Sequence, residues 1–371
     1  TKLSSPFFWK INSDEIMKFN AIVGNPPYQL TTATKETKNG QLAVKNIFQL
    51  FQELSDKLSK RMVSLIYPGG RWIHRSGKGL EEFGLTQIND PHLLKVIFYP
   101  NSEDLFNEVG IPDGISIVLK DMQKESRGFK YIYVGKNTKK EVSTTNPGEY
   151  LMPLNPDDVG ILDKIDRTVK EKYLRFLHDS VLSRNLFGIE SSFVEEHPEA
   201  VKEYNGDDPF DPENEVKLYT NDKAGKMGRA SWFITQRSTI PAHQELIEEW
   251  QVVVSSANAG GQKRSNQLAI IDNHSAFGRS RVALKSFKTQ KEAENFFKYA
   301  SSYLVRYSLL MTDESLTSLA KRVPDIMNYK DSNGIIDFSK DVNEQLYRLF
   351  NITLAERNYI EEVIDKKDGK K

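Results

Sequence analysis

Four residues near the start of the chain combine an amide, two prolines and an aromatic ring: Asn25-Pro26-Pro27-Tyr28, directly after the apolar run Ala21-Ile22-Val23-Gly24. Proline fixes its own backbone and pushes the preceding residue into an extended conformation. A stiff turn at the end of a strand would present one amide and one ring to a flat, nitrogen-rich ligand. The alternative is an ordinary loop, since Asn-Pro and Pro-Pro are common in turns. We favour the functional interpretation because the motif follows a strand-like run.

The motif resembles the catalytic signature of amino-directed DNA methyltransferases, in particular those that methylate the exocyclic nitrogen of adenine in type II restriction–modification systems. Further stretches fit the same family: Asn46 to Phe51, Val63 to Trp72, Gly77 to Leu80 and Gly110 to Ile115. The resemblance implies part of a Rossmann-like methyltransferase sheet, S-adenosylmethionine as methyl donor and double-stranded DNA as substrate. It covers about the first third of the chain well and the rest more loosely.

The resemblance also assigns roles to individual residues. The Asn25 amide oxygen and the Pro26 carbonyl would accept the two hydrogens of the adenine amino group. Positioning and electrostatic stabilisation then suffice without a strong base. Tyr28 would stack on the base after it is flipped out of the duplex. Candidates for the surrounding base pocket are Pro27, Arg71 and Trp72; for Trp72 simple packing is the favoured alternative.

Residues 1 to about 135 alternate strand-like and helix-like segments, which predicts that residues 1–150 form an α/β domain with a parallel or mixed sheet, the catalytic half of the methyltransferase by the resemblance. Ligands of such sheets bind at the carboxyl ends of strands, where the motif falls. We expect residues 29 to 45 to form a polar loop, either mobile or closing over substrate, and residues 136 to 156 to form a linker. The predicted strands are Phe19–Val23, Met62–Tyr67, Leu94–Tyr99, Gly114–Leu119 and Tyr131–Val134.

Residues 151–371 change in character and resemble an α+β target-recognition domain with C-terminal helices. A helix is predicted over about 157 to 179, and four short strands lie between residues 231 and 284. Thr289 and Thr353 are N-cap candidates, the latter in a capping box with Glu356. Residues 194 to 216 hold nine acids and read as a solvated excursion.

The second domain also has a stretch rich in basic and amide side chains, between residues 255 and 288. Arginine and lysine suit phosphates and guanine edges, and asparagine suits adenine. The alternative is a merely solvated basic face. The DNA-binding candidates are Arg237, Lys263, Arg264, Asn266, Arg279, Arg281 and Lys285, and Arg229 and Gln236, which like Arg237 lie close to Trp232 in the sequence, are further candidates.

The cofactor side of the site is the gap in the pattern. The family binds S-adenosylmethionine at a glycine-rich turn after a strand, and the 24 residues before Asn25 contain no such turn. Two glycine pairs downstream, Gly69-Gly70 and Gly260-Gly261, lack the required pattern. We therefore expect this chain, which starts at Thr1, to be a fragment that is inactive alone and whose partner is the N-terminal part of the same enzyme. Related enzymes often carry a nuclease on the same polypeptide.

Composition narrows the remaining function classes. The chain has no cysteine, which excludes a disulfide framework and a thiolate metal site, and its formal net charge is zero. Any basic surface must therefore be local. The histidines show no metal-spacing motif. Because the sequence shows neither a membrane-length apolar run nor a secretory signal, we expect a cytoplasmic protein, which the resemblance makes bacterial. Two other functions remain open: a non-catalytic DNA-binding specificity module, and methylation of RNA or of a protein amide.

Overall fold

A computed structural model describes most of the chain in two compact units, Thr1–Gly160 and Ile161–Lys371. The domain division predicted from the sequence lies at residue 150, and the units divide within a helix. The residues described are 10–12, 15–16, 18–36, 42–74, 80–107, 110–111, 113–145, 151–225, 227–311, 316–332 and 334–369.

A six-stranded mixed sheet organises the first unit. The strands described there are β1 (Lys10–Asn12), β2 (Glu15–Ile16), β3 (Phe19–Gly24), β4 (Gln29–Glu36), β5 (Leu42–Asn46), β6 (Ser59–Pro68), β7 (Leu93–Tyr99), β8 (Ile115–Asp121), β9 (Gly128–Gly135) and β10 (Thr138–Thr145). The sheet order is β10-β9-β7-β8-β6-β3. β3 runs parallel to β6, and β7 runs parallel to β9, whereas β8 is antiparallel to both of its neighbours. The predicted mixed α/β architecture is therefore confirmed.

Helices cover this sheet through an aromatic core. They are α1 (Phe48–Leu58), α2 (Arg71–His74), α3 (Glu81–Ile88) and α4 (Pro156–Glu171), the last of which contains the boundary between the units. Alternate residues of β6 are buried, as expected for one face of a strand against a core. Their partner is a cluster in which Phe48, Tyr67, Trp72 and Phe83 meet edge to face or tilted, at centroid distances of 5.1–6.2 Å.

All five strands predicted in the first unit are confirmed, as β3, β6, β7, β8 and β9. Two polar segments were predicted wrongly. The expected linker contains β10, which pairs with β9 along its whole length from Thr138↔Gly135 to Thr145↔Gly128. The expected loop after the motif contains the antiparallel pair β4 and β5. Both segments lack an apolar alternation, and backbone pairing with a neighbour supplies their structure instead.

The second unit is α+β. Its strands are β11 (Arg175–Phe176), β12 (Val201–Glu203), β13 (Glu215–Asn221), β14 (Ala230–Gln236), β15 (Trp250–Ser255), β16 (Ala269–Ile271), β17 (Ser275–Phe277), β18 (Arg281–Phe287) and β19 (Pro324–Asp325). They form the sheets β12-β14-β13-β17 and β16-β15-β18 and the pair β11-β19. The helices that follow α4 are α5 (Phe193–Glu196), α6 (Gln290–Ala300), α7 (Tyr303–Leu310), α8 (Val342–Leu349) and α9 (Leu354–Lys367).

The sequence predicts four strands and two helix starts of this unit correctly. The four strands expected between residues 231 and 284 are β14, β15, β16 and β18, and Thr289 and Thr353 cap α6 and α9, the latter with a complete capping box. The long helix is shorter than predicted, because α4 ends at Glu171 and β11 follows. The acidic stretch contains β12 and the start of β13.

Candidate functional site

The Asn25-Pro26-Pro27-Tyr28 motif lies directly after β3, at the end of the six-stranded sheet. Because β3 and β6 are parallel, with Gly24 opposite Leu65, the motif and the turn after β6 leave the sheet at the same edge. This is the edge at which ligands bind in sheets with parallel neighbouring strands. The motif and the turn that leads to Arg71 therefore lie at the same edge of the sheet, which we call the rim.

The segment that follows fixes the motif from behind. β4 and β5 pair antiparallel, which returns the chain so that the Ile47 amide donates a hydrogen bond to the Tyr28 carbonyl at 3.0 Å. Helix α1 then begins at Phe48, whose ring is buried in the core. The motif is consequently held between β3 on one side and a helix start on the other.

The four motif residues differ in their exposure to solvent. Asn25 and Pro27 are exposed, Pro26 is buried, and Tyr28 is partly buried against the aromatic core. Burial raises the pKa of Tyr28, and the nearby Asn25 side chain partly offsets this rise. The buried Tyr28 hydroxyl nevertheless has no partner with hydrogen-bond geometry in the described part of the chain. The motif therefore combines the exposed amide of Asn25 with the neutral phenol of Tyr28.

Of the two other pocket candidates, one lies in the core and one on the rim. Trp72 is fully buried, and its indole N–H donates to Ser116 Oγ at 2.8 Å, which in turn donates to the Gly69 carbonyl at 2.9 Å. This favours the packing alternative for Trp72, which supports the turn at Gly69 through Ser116. Arg71 lies on the rim with its guanidinium 3.5 Å from the Asp113 carboxylate.

The glycine pairs do not offer a cradle for S-adenosylmethionine. The Gly69 and Gly70 amides donate to the Gly114 and Asp113 carbonyls, at 2.6 and 3.0 Å. A Cβ at Gly70 would lie 2.7 Å from the Phe98 ring, so packing fills the space beside it. At the second pair, a Cβ on Gly260 would lie 2.7 Å from a backbone carbonyl. Neither glycine pair therefore fits the cofactor.

Several DNA-binding candidates of the second unit are paired with acids. Arg237 contacts Glu248 at 3.0 Å, Arg279 contacts Glu190 at 2.8 Å, and Lys285 contacts Asp325 at 2.5 Å. Only 17% of the Lys285 side chain is exposed, and the Asp325 side chain is 3% exposed. This counts against a DNA contact by Lys285, because its ammonium is committed to a largely buried ion pair.

The remaining candidates belong to one neighbourhood. Asn266 donates from Nδ2 to the Ala259 carbonyl, at 3.3 Å, and so supports a loop. Lys263 is exposed, and its backbone amide donates a hydrogen bond to Asn258 Oδ1. Arg264 and Arg281 line the same cavity. Arg229, a further candidate from the sequence, lines the same cavity. Arg184 also lines it and was missed, because it lies far away in the sequence and no local pattern marks it.

The described residues offer neither a metal site nor a membrane-spanning helix. Among the described residues, no group of three or more histidine or acidic side chains could hold a metal ion. Within the same residues, every helix is too short or too polar to cross a membrane.

The first segment is similar to a known protein family. Residues 2–106 match the model of the family described as Eco57I restriction-modification methylase. The resemblance carried by the motif is therefore confirmed over this segment, and the match supports a DNA methyltransferase role. No curated protein matches the sequence.

Solved structures of restriction–modification proteins are also similar. The type IIL enzyme MmeI in complex with DNA is 9% identical over 95% of this chain and 54% of its own, with a TM-score of 0.37. The type IIG restriction endonuclease BpuSI is 11% identical over 90% of this chain and 49% of its own, with a TM-score of 0.33. A modification subunit of a putative type I restriction enzyme from Vibrio vulnificus YJ016 is 15% identical over 33% of this chain and 27% of its own, with a TM-score of 0.24. This chain thus spans between about a quarter and about half of each of these proteins.

Proposed function

We propose that this chain carries the adenine-handling site and the DNA-recognition part of a site-specific N6-adenine DNA methyltransferase of a restriction–modification system. The observation that carries the proposal is the rigid Asn25–Tyr28 turn at the carboxyl end of β3, within the segment that matches restriction-modification methylases. Its substrate would be double-stranded DNA with the target adenine flipped out of the stack. S-adenosylmethionine would supply the methyl group.

The chemistry assigned to this chain is the handling of the adenine amino group. The lone pair of that nitrogen is delocalised into the ring, which makes it a poor nucleophile. The exposed Asn25 amide oxygen and the Pro26 carbonyl would each accept one amino hydrogen and favour a more tetrahedral nitrogen. In the described residues no backbone amide donates to the Pro26 carbonyl. These fixed neutral acceptors would stabilise positive charge as it develops on the nitrogen.

We further propose that a cofactor-binding part of the enzyme completes the sheet beside β3. Within the described sheet, β3 has a neighbour on one side only. Around it, Val23 is 79% exposed, and α1 exposes Leu50, Phe51 and Leu54 to between 37% and 55%. Exposed apolar side chains and an unpaired strand edge are typical of a surface that another element covers.

Replacing Asn25 by alanine tests the adenine site. In the full-length enzyme, Asn25→Ala should lower the rate of methyl transfer by about 10²–10³-fold, the usual loss of one preorganised partner of developing charge. DNA binding and stability should stay nearly unchanged, because Asn25 is exposed. Asn25→Asp keeps an acceptor oxygen and should retain more activity than the alanine variant. Asn137→Ala, at an exposed position in the β9–β10 turn, is the control. Wild-type activity of Asn25→Ala would refute the role of this residue.

Cofactor binding separates the proposal from the alternative of a non-catalytic specificity module. Calorimetric titration of S-adenosylmethionine into this chain alone should give no binding, and titration into the full-length enzyme should give clear binding. Micromolar binding to this chain alone would refute the separation of the two halves. Absence of binding in the full-length enzyme would favour the specificity module.

A further inference from the structure

The second unit contains a cavity of about 900 Å³ whose lining is rich in arginine. Four arginines contribute to it, namely Arg184, Arg229, Arg264 and Arg281, together with several serines. None of the described residues that line it is acidic. The chain has equal numbers of basic and acidic residues, so this concentration of positive charge is local.

Arg281 at the start of β18 is the most unusual member. It is only 3% exposed, and its partners are neutral: Nη1 donates to Gln267 Oε1 at 2.7 Å and Nη2 to the Tyr219 hydroxyl at 3.0 Å. The guanidinium carbon also lies 4.7 Å from the centroid of the Tyr219 ring, which stacks on Trp232 at 4.8 Å. Burial lowers the pKa of Arg281, yet a guanidinium remains a cation in proteins.

The other buried cations of the described residues are neutralised by acids. Lys120 contacts Asp56 and Asp90 at 2.9 and 2.5 Å, and Arg322 contacts Asp166 at 2.7 Å. A buried charge without a counter-ion costs free energy, and proteins normally pair it. Arg281 has no carboxylate among its hydrogen-bond partners. Its neutral partners fix the orientation of the guanidinium and leave its charge available.

Two donors at this point also lack partners. Arg281 Nε and the hydroxyl of the preceding residue, Ser280, are buried and make no hydrogen bond within the described residues. Both residues line the cavity. An unsatisfied buried donor costs about 1–3 kcal/mol, so a ligand that accepts from both would be favoured.

The acids beside the cavity are already engaged. The Asp222 carboxylate accepts from the Arg229 backbone amide at 2.7 Å, and the Glu195 carboxylate accepts from the Ala224 amide at 3.1 Å. They close the loop between β13 and β14 and do not neutralise the guanidinium of Arg281. The open hydrogen-bonding capacity at this point therefore includes two donors, the Arg281 Nε–H and the Ser280 hydroxyl, of which only the hydroxyl can also accept.

We propose that this cavity binds a phosphate group, with Arg281 and Ser280 at its base and Arg264 and Arg184 nearer the solvent. A phosphate offers acceptors only and carries the negative charge that Arg281 lacks, whereas a base edge would also present donors. The source of the phosphate rests on the proposed function, which makes it the DNA backbone. The site itself depends only on the contacts in the second unit.

The test measures DNA and phosphate binding by this chain without cofactor. Anisotropy of a fluorescein-labelled duplex should show at least about tenfold weaker binding for Arg281→Gln, because a charge-assisted contact is lost. The slope of log K against log salt should fall by about 0.9. Arg264 also lines the cavity but is exposed, so Arg264→Gln tests the site even if Arg281→Gln fails to fold. Arg264→Gln should also weaken duplex binding and lower the salt slope. Arg348→Gln removes the same charge from an exposed position on α8, outside the cavity lining, and should bind as the wild type does.

Inorganic phosphate distinguishes the source of the ligand. A rise in melting temperature with phosphate that is lost in Arg281→Gln would show that a free phosphate group is accepted; an effect confined to the duplex would assign the phosphate to DNA. Both results support the cavity. Wild-type binding of duplex and of phosphate by both Arg281→Gln and Arg264→Gln would overturn it. Methyl transfer is not measured, so a failure here is distinct from a failure of the Asn25 prediction.

Discussion

Replacing Lys120 by methionine should destabilise the first unit by about 3 kcal/mol, because it leaves two carboxylates without their buried cation. The Lys120 side chain is fully buried, and its ammonium contacts Asp56 at 2.9 Å and Asp90 at 2.5 Å. Breaking a buried pair by removing one partner typically costs about 3–5 kcal/mol. The lower end applies here because Asp56 and Asp90 keep 23% and 16% exposure and can recover some hydration.

The perturbation should also reach the candidate site. Asp56 lies on α1, where it accepts from Gln52 Nε2 at 2.6 Å, and Gln52 accepts in turn from the hydroxyl of Tyr67. The start of the same helix carries the Ile47 amide that binds the Tyr28 carbonyl. Loss of Lys120 should therefore loosen the end of the chain segment that holds the motif.

Hydrogen exchange read by mass spectrometry measures this in the first unit alone. Peptides from β6 and β8 should lose about 3 kcal/mol of protection in Lys120→Met, and the peptide containing Ile47 should exchange faster. Lys124→Met is the matched control: that side chain is 64% exposed and 3.8 Å from Asp121, so the change should cost under about 1 kcal/mol. Adding Asp56→Asn and Asp90→Asn to Lys120→Met should restore part of the loss. Protection of Lys120→Met within about 0.5 kcal/mol of wild type would refute the reasoning.

Three further changes have defined outcomes. Gly84→Ala would place a Cβ 1.9 Å from the Trp72 carbonyl and should destabilise the unit by about 1–3 kcal/mol, whereas Gly160→Ala, with open space around it, should stabilise by about 0.5–1 kcal/mol; equal urea midpoints would contradict this. Trp72→Phe removes the donor to Ser116 and should cost about 1–3 kcal/mol by the same exchange assay, with a loss below 0.5 kcal/mol counting against it. Ser339 and Lys340 lower the pKa of Asp337 from 3.8 to about 2. Its stabilising contribution is therefore present above pH 4 and lost as the pH falls towards 2, so Asp337→Asn should flatten the melting temperature over that range, and an unchanged profile would contradict the assignment.

The sequence predicts those parts of the fold in which side chains alone determine the structure. Buried strands such as β6 and β8 appear as apolar runs, and the Thr353–Glu356 capping box marks a helix start by itself. β10 escapes prediction because most of its residues are exposed and polar, as at an edge that resists pairing with other chains. Pairing with β9 and a Lys130–Glu141 contact of 2.5 Å hold it in place, and neither is visible in the local pattern.

The same distinction separates the two candidate sites. Proline makes the Asn25 turn rigid through bonds within four residues, so the sequence alone indicates it. Arg281 and Lys285 lie on one strand with the same charge, and distant residues decide between them: Asp325 neutralises Lys285, whereas Arg281 meets Tyr219 and Gln267. A chain with no net charge can attract a polyanion only where such neutralisation fails. If the cavity around Arg281 is that place, removing the ion-paired Arg237 or Arg279 should weaken duplex binding far less than removing Arg281, although all three carry equal charge.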